Sequence, residues 1–219
     1  MTSVSERLKA LGDPSGQQNE HYWDEWFKIV CRDQRHQAFE WYAGVDEVAR
    51  VLQHHVVASA AMEGDSTTTV SNSRKMIHPG SGTSLCPLRL QNYFPQHHHV
   101  VVDISQVALE EMREIHEGYF YKENNHGIAS EGMKKIEYLL ADILDPPMQA
   151  LKENSFDAWI DKGFIDAVFE KSQSKEQQLQ AQKLFQEMHR LLGDQGTALI
   201  VTLAEDHSNS YLGLFYQNK

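Results

Sequence analysis

The chain has 219 residues, 31 acidic and 20 basic, for a formal charge of −11, and 41% of it is apolar. That apolar share, with 13 glycines, supports a packed core and excludes a wholly disordered chain; the two cysteines, Cys31 and Cys86, exclude a disulfide scaffold and a four-thiolate zinc site. No apolar run reaches the roughly 18 residues of a membrane span, Met1 to Leu11 lacks a signal-peptide core, and so acidic a chain is a poor general binder of duplex nucleic acid while tolerating a basic protein partner.

Residues 1–18 are polar, with Gly-Asp-Pro-Ser-Gly at 12–16, and read as a loose tail. Residues 19–219 read as a single domain whose first part, 19–62, is a helical extension. His21 to Arg32 is rich in aromatics and predicts a helix. Val45, Val48, Ala49, Leu52 and Val56 recur at the spacing of one buried helical face. A small-polar loop covers 63–73.

Beyond that loop, short apolar strands alternate with helical patterns. Lys75 to His78 is the first strand, followed by Pro79-Gly80-Ser81-Gly82 and a helix expected over Thr83 to Phe94. Val100 to Asp103 is the second strand. Ser105 is placed to cap the next helix, whose Ala108, Met112 and Ile115 share a face. A polar loop follows over Gly118 to Lys134. Ile136 to Ala141, ending at Asp142, is the third strand, and Phe156 to Ile160, ending at Asp161, the fourth. Ala181, Leu184, Phe185, Met188, Leu191 and Leu192 form a helical face that Gly193 stops. Thr197 to Leu203 is the fifth strand, and Tyr211 to Tyr216 reads as the start of another helix. This alternation predicts an α/β fold: a doubly wound, mainly parallel sheet.

In such a sheet the ligand lies at the carboxyl ends of the strands, where strand order reverses. Four polar features fall there. Gly80-Ser-Gly82 would let a ligand approach the backbone, although Leu85 stands where a dinucleotide fingerprint has its third glycine. Asp103 is where a carboxylate can accept from two ribose hydroxyls. Asp142 can reach an adenine edge, and Asp161-Lys162-Gly163 ends the fourth strand. Each alone is also an ordinary turn; their joint order favours an adenosine-containing ligand.

Gly80-Ser-Gly-Thr-Ser84 resembles the GxGxS form of the S-adenosylmethionine motif in seven-strand class I methyltransferases, and Val102-Asp-Ile-Ser105 resembles the acidic strand end that follows it. Asp161-Lys-Gly-Phe-Ile-Asp-Ala167 is similar to the DKGxLDA signature of the methyltransferase-like branch that contains the lysine methyltransferases of elongation factor 1-alpha and of citrate synthase, with Ile165 for leucine. Tyr22-Trp23-Asp24 and Glu40-Trp41-Tyr42 are similar to its N-terminal pattern, and Thr202-Leu-Ala-Glu205 stands where that branch often has Ser-Leu-Ala-Gln.

The resemblance implies a Rossmann-like methyltransferase fold and S-adenosyl-L-methionine as cofactor. It implies Gly80 and Gly82 beside the methionine part, Asp103 on the ribose with Ile104 against the adenine, and Asp142 on the adenine amino group with Ile143 beside it. Lys162 and Gly163 would lie near the methionine end with Asp161, which would orient an acceptor amine. Trp41 and Tyr22 would help to cover the cofactor, with aromatic core packing the alternative. The implied reaction is methyl transfer to a lysine of a protein such as a translation factor or other basic segment, in the cytosol. An inert cofactor-binding or interaction module and an NAD-dependent oxidoreductase remain alternatives.

Class I sheets usually continue past the fifth strand with a β-hairpin. The C-terminal pattern offers no such hairpin, so the fifth strand is expected to be an apolar edge open to self-association. His78 stands where the glycine motif often has an acid. His97-His98-His99 reads as a solvated strand start rather than a metal site, and Cys86 as a buried structural thiol.

Overall fold

The computed structural model describes residues 4–12, 19–33, 38, 40, 42–62, 74–123, 135–145, 150–168, 175–202 and 211–216. In chain order the elements are α1 (Val4–Leu11), α2 (Glu20–Asp33), α3 (Val45–Met62), β1 (Lys75–Pro79), α4 (Cys86–Leu90), β2 (His98–Asp103), α5 (Gln106–Glu123), β3 (Ile136–Leu140), β4 (Phe156–Lys162), α6 (Phe164–Val168), α7 (Lys175–Leu191), β5 (Leu192–Thr202) and β6 (Tyr211–Tyr216). The expected α/β doubly wound sheet is present, with strand order β3-β2-β1-β4-β5-β6. All neighbours run parallel except β6, which pairs antiparallel with β5 from Thr197↔Tyr216 to Thr202↔Tyr211.

Because side chains alternate across a strand, Met76 and Ile77 enter different cores. On one face Met76, Ala158, Ile160, Leu199 and Val201 pack under α3, through Val45, Val48, Ala49 and Leu52, and under α4, through Cys86 and Leu90. Val101 meets Leu88 of α4 with Leu109 and Met112 of α5. On the other face Ile77, Val100, Val102, Trp159 and Ala198 pack against Leu184, Met188 and Leu191 of α7. The α3 face is the one that the apolar spacing predicts over Val45 to Leu52; of the expected α7 face Leu184, Met188 and Leu191 are buried, whereas Phe185 is 42% exposed and Leu192 begins β5.

Four expectations are corrected. Residues 4–11, expected as loose tail, form α1, and the Tyr22 hydroxyl donates to the carbonyl of Gly12 (3.1 Å). The helix after the glycine turn spans only Cys86–Leu90, because Gln91, Asn92 and Tyr93 tighten into i→i+3 bonds on Leu88, Arg89 and Leu90. The helix capped by Ser105 runs on to Glu123, into the expected polar loop. Tyr211–Tyr216 is a strand, not a helix start: Tyr211, Phe215 and Tyr216 favour a strand, and the segment pairs along the edge of β5. Paired to β5, they satisfy its backbone, so the fifth strand is not an open edge, and the ground for self-association through it is removed. Among the described residues no helix is long and apolar enough to cross a membrane.

The histidine run is corrected as well. His97 and His99 are buried, and His99 Nδ1 lies 2.9 Å from His78 Nε2 on the neighbouring strand, the two rings stacked. His78 therefore belongs to the sheet interior under α4. His116 on α5 is buried too, 2.5 Å from the Tyr138 hydroxyl. Burial lowers all four imidazoles: His99 to about 3, His97 and His116 to about 4, and His78 well below its usual range. In the unfolded chain these groups protonate near pH ~6.5. Between there and pH ~4 the unfolded chain therefore binds more protons, and acid destabilises the fold. Two buried carboxylates, Asp103 and Asp161, are raised and oppose this, but they are fewer. The urea midpoint is expected to fall as pH is lowered from 7 to 5, and His99→Gln is expected to flatten that fall; a midpoint independent of pH across the window would refute the account.

Candidate active site

The strand order turns between β1 and β4: the chain goes outward from β1 to β2 and β3, then returns to β4 on the other side. At the carboxyl ends around that point, where ligands of such sheets bind, lies a partly open cleft. Its lining includes Gly80, Gly82, Asp103, Ile104, Asp142, Ile143 and Lys162. Gly163 lines it as well, so the structure brings together eight of the eleven residues singled out in the sequence.

The glycine turn forms the floor. Gly80 and Gly82 have φ of +53° and +54°, values that L side chains rarely adopt. A Cβ on Gly80 would lie 2.3 Å from Cδ2 of Phe164, and one on Gly82 would lie 2.8 Å from Cζ of Phe27. Glycine is needed at both for backbone conformation and for space, and the two rings make an apolar wall against the turn.

Asp103 ends β2 and is 5% exposed. Its Oδ2 accepts the amide of Gly82 (2.8 Å) and its Oδ1 that of Ser105 (2.9 Å). Burial pushes its carboxyl up to about 6, against the pull of those amides, so it remains mostly ionised at neutral pH. Ser105 caps α5 as expected, its Oγ accepting the Ala108 amide (3.1 Å) while donating to Asp24 Oδ1 (2.6 Å). That bond docks α2 on α5. Asp142, after β3, is half-buried; its Oδ1 accepts the Leu144 amide (2.8 Å), and burial raises its carboxyl. Ile104, Ile143 and Leu144 supply the apolar surface between the two acids.

The other three stand elsewhere. Trp41 lies outside the described residues. Asp161 is fully buried and is not part of the cleft lining. Its Oδ1 accepts the amides of Phe164 (2.9 Å) and Ile165 (3.4 Å) and so caps α6, while Oδ2 is buried with no partner among the described residues. Burial pushes this carboxyl up to about 8, so it is largely protonated at neutral pH. Direct orientation of an acceptor by Asp161 does not fit this placement; the residue supports the wall formed by Gly163 and Phe164. Tyr22 is buried in the α2 core rather than on the cleft, so the packing alternative describes it.

The lining that sequence reasoning missed includes three aromatics, Trp23, Phe27 and Phe164, beside aliphatic residues. Trp23 and Phe27 sit in the aromatic run that predicts α2, four residues apart and hence on one helical face; that pattern was the available signal. Glu40 was noted only as part of a motif, yet it bonds Lys162 Nζ (2.5 Å), Ser84 Oγ (2.8 Å) and the Leu85 amide (2.6 Å). Cys86 is buried, its thiol pushed up to about 12, which fits the structural reading. No group of three metal-binding side chains occurs among the described residues.

A family profile described as "Methyltransferase domain" matches residues 71–213. The chain belongs to that methyltransferase-domain family. Among solved structures, a TehB-like SAM-dependent methyltransferase from Corynebacterium glutamicum is 14% identical, with 73% of each chain covered and a TM-score of 0.42. Geranyl diphosphate C-methyltransferase from Streptomyces coelicolor is 14% identical over 89% of this chain and 54% of its own, with a TM-score of 0.44. A Methanococcus maripaludis protein described as SAM-dependent is 16% identical, covering 72% of this chain and 62% of its own, with a TM-score of 0.38. The chain thus spans between about half and three quarters of the length of these structures. No curated protein matches the sequence.

Two outcomes test the site. Gly80→Ala is expected to lose more than ~1 kcal/mol of stability, because the added Cβ meets Phe164; an unchanged urea midpoint would refute the packing argument. Asp161→Asn keeps the cap on α6 without a titrating acid. Relative to this variant, the wild type is expected to lose stability as pH rises from ~4, where the carboxyl of the unfolded chain ionises, to about 8, where the folded one does, and to lose no more above that; parallel pH-melting curves across this window would refute the assignment.

Proposed function

We propose that the chain transfers a methyl group from S-adenosyl-L-methionine to a lysine side chain of a protein substrate in the cytosol. The observation that carries the cofactor reading is the cleft at the switch point, where two left-handed glycines and two strand-end aspartates converge on an apolar slot. Those residues fit the cofactor: the turn leaves its backbone bare where a Cβ would intrude, and Asp103 keeps lone pairs beyond the two amides it accepts. The family assignment supports the same general activity.

When bound, the cofactor supplies a methyl group already activated on a sulfonium centre. The chain's contribution is then alignment and exclusion of water. Asp103 would hold the ribose hydroxyls, with Ile104 beside the adenine. Asp142 would accept from the adenine amino group, with Ile143 next to it. Gly80 and Gly82 would admit the methionine part, and Lys162 would lie at its far end. Trp23, Phe27 and Phe164 narrow the cleft and keep it dry. A lysine acceptor must shed a proton before it can react, and a dry aromatic surround lowers its pKa.

The lysine target rests on the DKG segment and on the N-terminal aromatic motifs, with the charge of −11 favouring a basic substrate segment. Titration calorimetry of the chain with S-adenosylmethionine, S-adenosylhomocysteine and NAD tests the cofactor. The expected result is binding of both sulfur ligands and not NAD; the reverse would favour the oxidoreductase. Asp103→Ala is expected to weaken that binding by ~1.5–3 kcal/mol, the worth of hydrogen bonds to a charged group. Incubation with basic proteins and labelled cofactor tests the acceptor: label on a lysine supports the reading, and label transferred to no protein refutes it.

A further inference from the structure

Among the described residues the sheet ends in two edge strands, β3 and β6, and they differ in how they are guarded. An edge strand with unpaired backbone groups is a template for another strand unless charge or proline blunts it. β3 carries Glu137, which is exposed, and lies between Lys135 and Asp142. β6 is Tyr-Leu-Gly-Leu-Phe-Tyr, with neither a charge nor a proline across its six residues. Its described strand partner is β5, on one side. In an antiparallel strand the N–H and C=O of one residue point to the same side, alternating along the chain. Every second residue of β6 therefore offers both groups to the open side.

The segment is complementary to itself. Opposed residues of an antiparallel pair are either both hydrogen-bonded or both not. Two copies of β6, each with its alternation already fixed by β5, therefore meet only in registers whose two-fold axis passes through a residue. The two central registers put that axis at Gly213 or at Leu214. With the axis at Gly213, Tyr211 lies opposite the partner's Phe215 and Leu212 opposite the partner's Leu214. With the axis at Leu214, Leu212 lies opposite the partner's Tyr216 and Gly213 opposite the partner's Phe215. These are cross-strand pairs without like charges, and those joining apolar or aromatic side chains stabilise a ladder. That matters for a chain of charge −11, whose copies otherwise repel one another. A strongly basic or acidic partner, by contrast, finds no charge on this strand to pair with.

We propose that β6 pairs antiparallel with β6 of a second copy of the chain, joining two six-stranded sheets into one. Each β6 has one open side, so the pairing closes at two chains, and the charged β3 edge does not extend it. The two-fold axis reverses strand direction, so β1 of one protomer runs opposite to β1 of its partner. The two clefts, which lie at the carboxyl ends of the strands, then open at opposite ends of the joined sheet. The pairing is independent of what the cleft binds.

Light scattering on the full chain across the micromolar range reads its mass. The expected result is twice the chain mass, with the dimer fraction rising as salt screens the repulsion between copies. Single cysteines then locate the contact, since Cys31 and Cys86 are buried. A disulfide needs Cα atoms within about 7 Å of each other, and only a residue on the axis meets its own copy so closely. Gly213→Cys or Leu214→Cys, whichever marks the axis, is therefore expected to give a disulfide-linked dimer under mild oxidation, whereas Tyr211→Cys and Tyr216→Cys are not. A monomer at every concentration overturns the proposal, as does a mass that falls with salt, which marks an ionic contact elsewhere. Assemblies larger than the dimer overturn the closure. A dimer in which neither central cysteine cross-links, or in which Tyr216→Cys links as readily, places the contact elsewhere and overturns it too.

Discussion

A single buried carboxylate ties the ends of two strands to two helices. Asp103 accepts the amide of Gly82 from the turn after β1 and that of Ser105 at the start of α5, and Ser105 passes the link to Asp24 on α2. The glycine turn, the second strand, the capped helix and the N-terminal helix are thus positioned by one chain of hydrogen bonds. Burying the charge is unfavourable, as its raised carboxyl shows, and the amide dipoles aimed at it offset that cost. The same arrangement leaves the carboxylate at the cleft, with acceptor capacity to spare.

Three acids near the cleft show how environment assigns different work to the same functional group. Asp103 is buried but met by two amides from different elements, and stays mostly ionised at neutral pH. Asp161 is buried with one oxygen unpartnered among the described residues, and its carboxyl rises to about 8; it acts as a neutral cap on α6. Glu40 is part-exposed and opposes a lysine, so it forms an ion pair across elements far apart in sequence. The cleft is therefore held from both sides: Asp103 and α2 on one, Glu40 and Lys162 on the other.

Most of the sheet was legible because its signals are local. Val100 to Val102 runs into Asp103 and Phe156 to Ile160 into Asp161, and each became a parallel strand with that acid at or next to its carboxyl end. Gly80 and Gly82 were legible because no other residue takes their backbone angles easily. Tyr211–Tyr216 was not: six apolar and aromatic residues fit either period, and only the unpaired edge of β5 decides between helix and strand. Nor was the burial of His97 and His99. Their polarity suggests solvent, whereas His97 packs edge-on against Phe94, and His78 on the next strand supplies a partner for His99.

The sequence by itself determined the alternation of strands and helices, the glycine turn, and the strand-end positions of Asp103, Asp142 and Asp161. These follow from backbone preference and apolar periodicity, which act over a few residues. Only the tertiary structure decided what each acid does. Depth and partners set a carboxyl's charge and reach, and both come from elements that are distant along the chain: Gly82 for Asp103, α6 for Asp161, Lys162 for Glu40. Asp103 and Asp161 occupy similar strand ends and look alike in sequence, yet one lines the cleft and the other is buried outside its lining, turned to the amides of Phe164 and Ile165 at the start of α6.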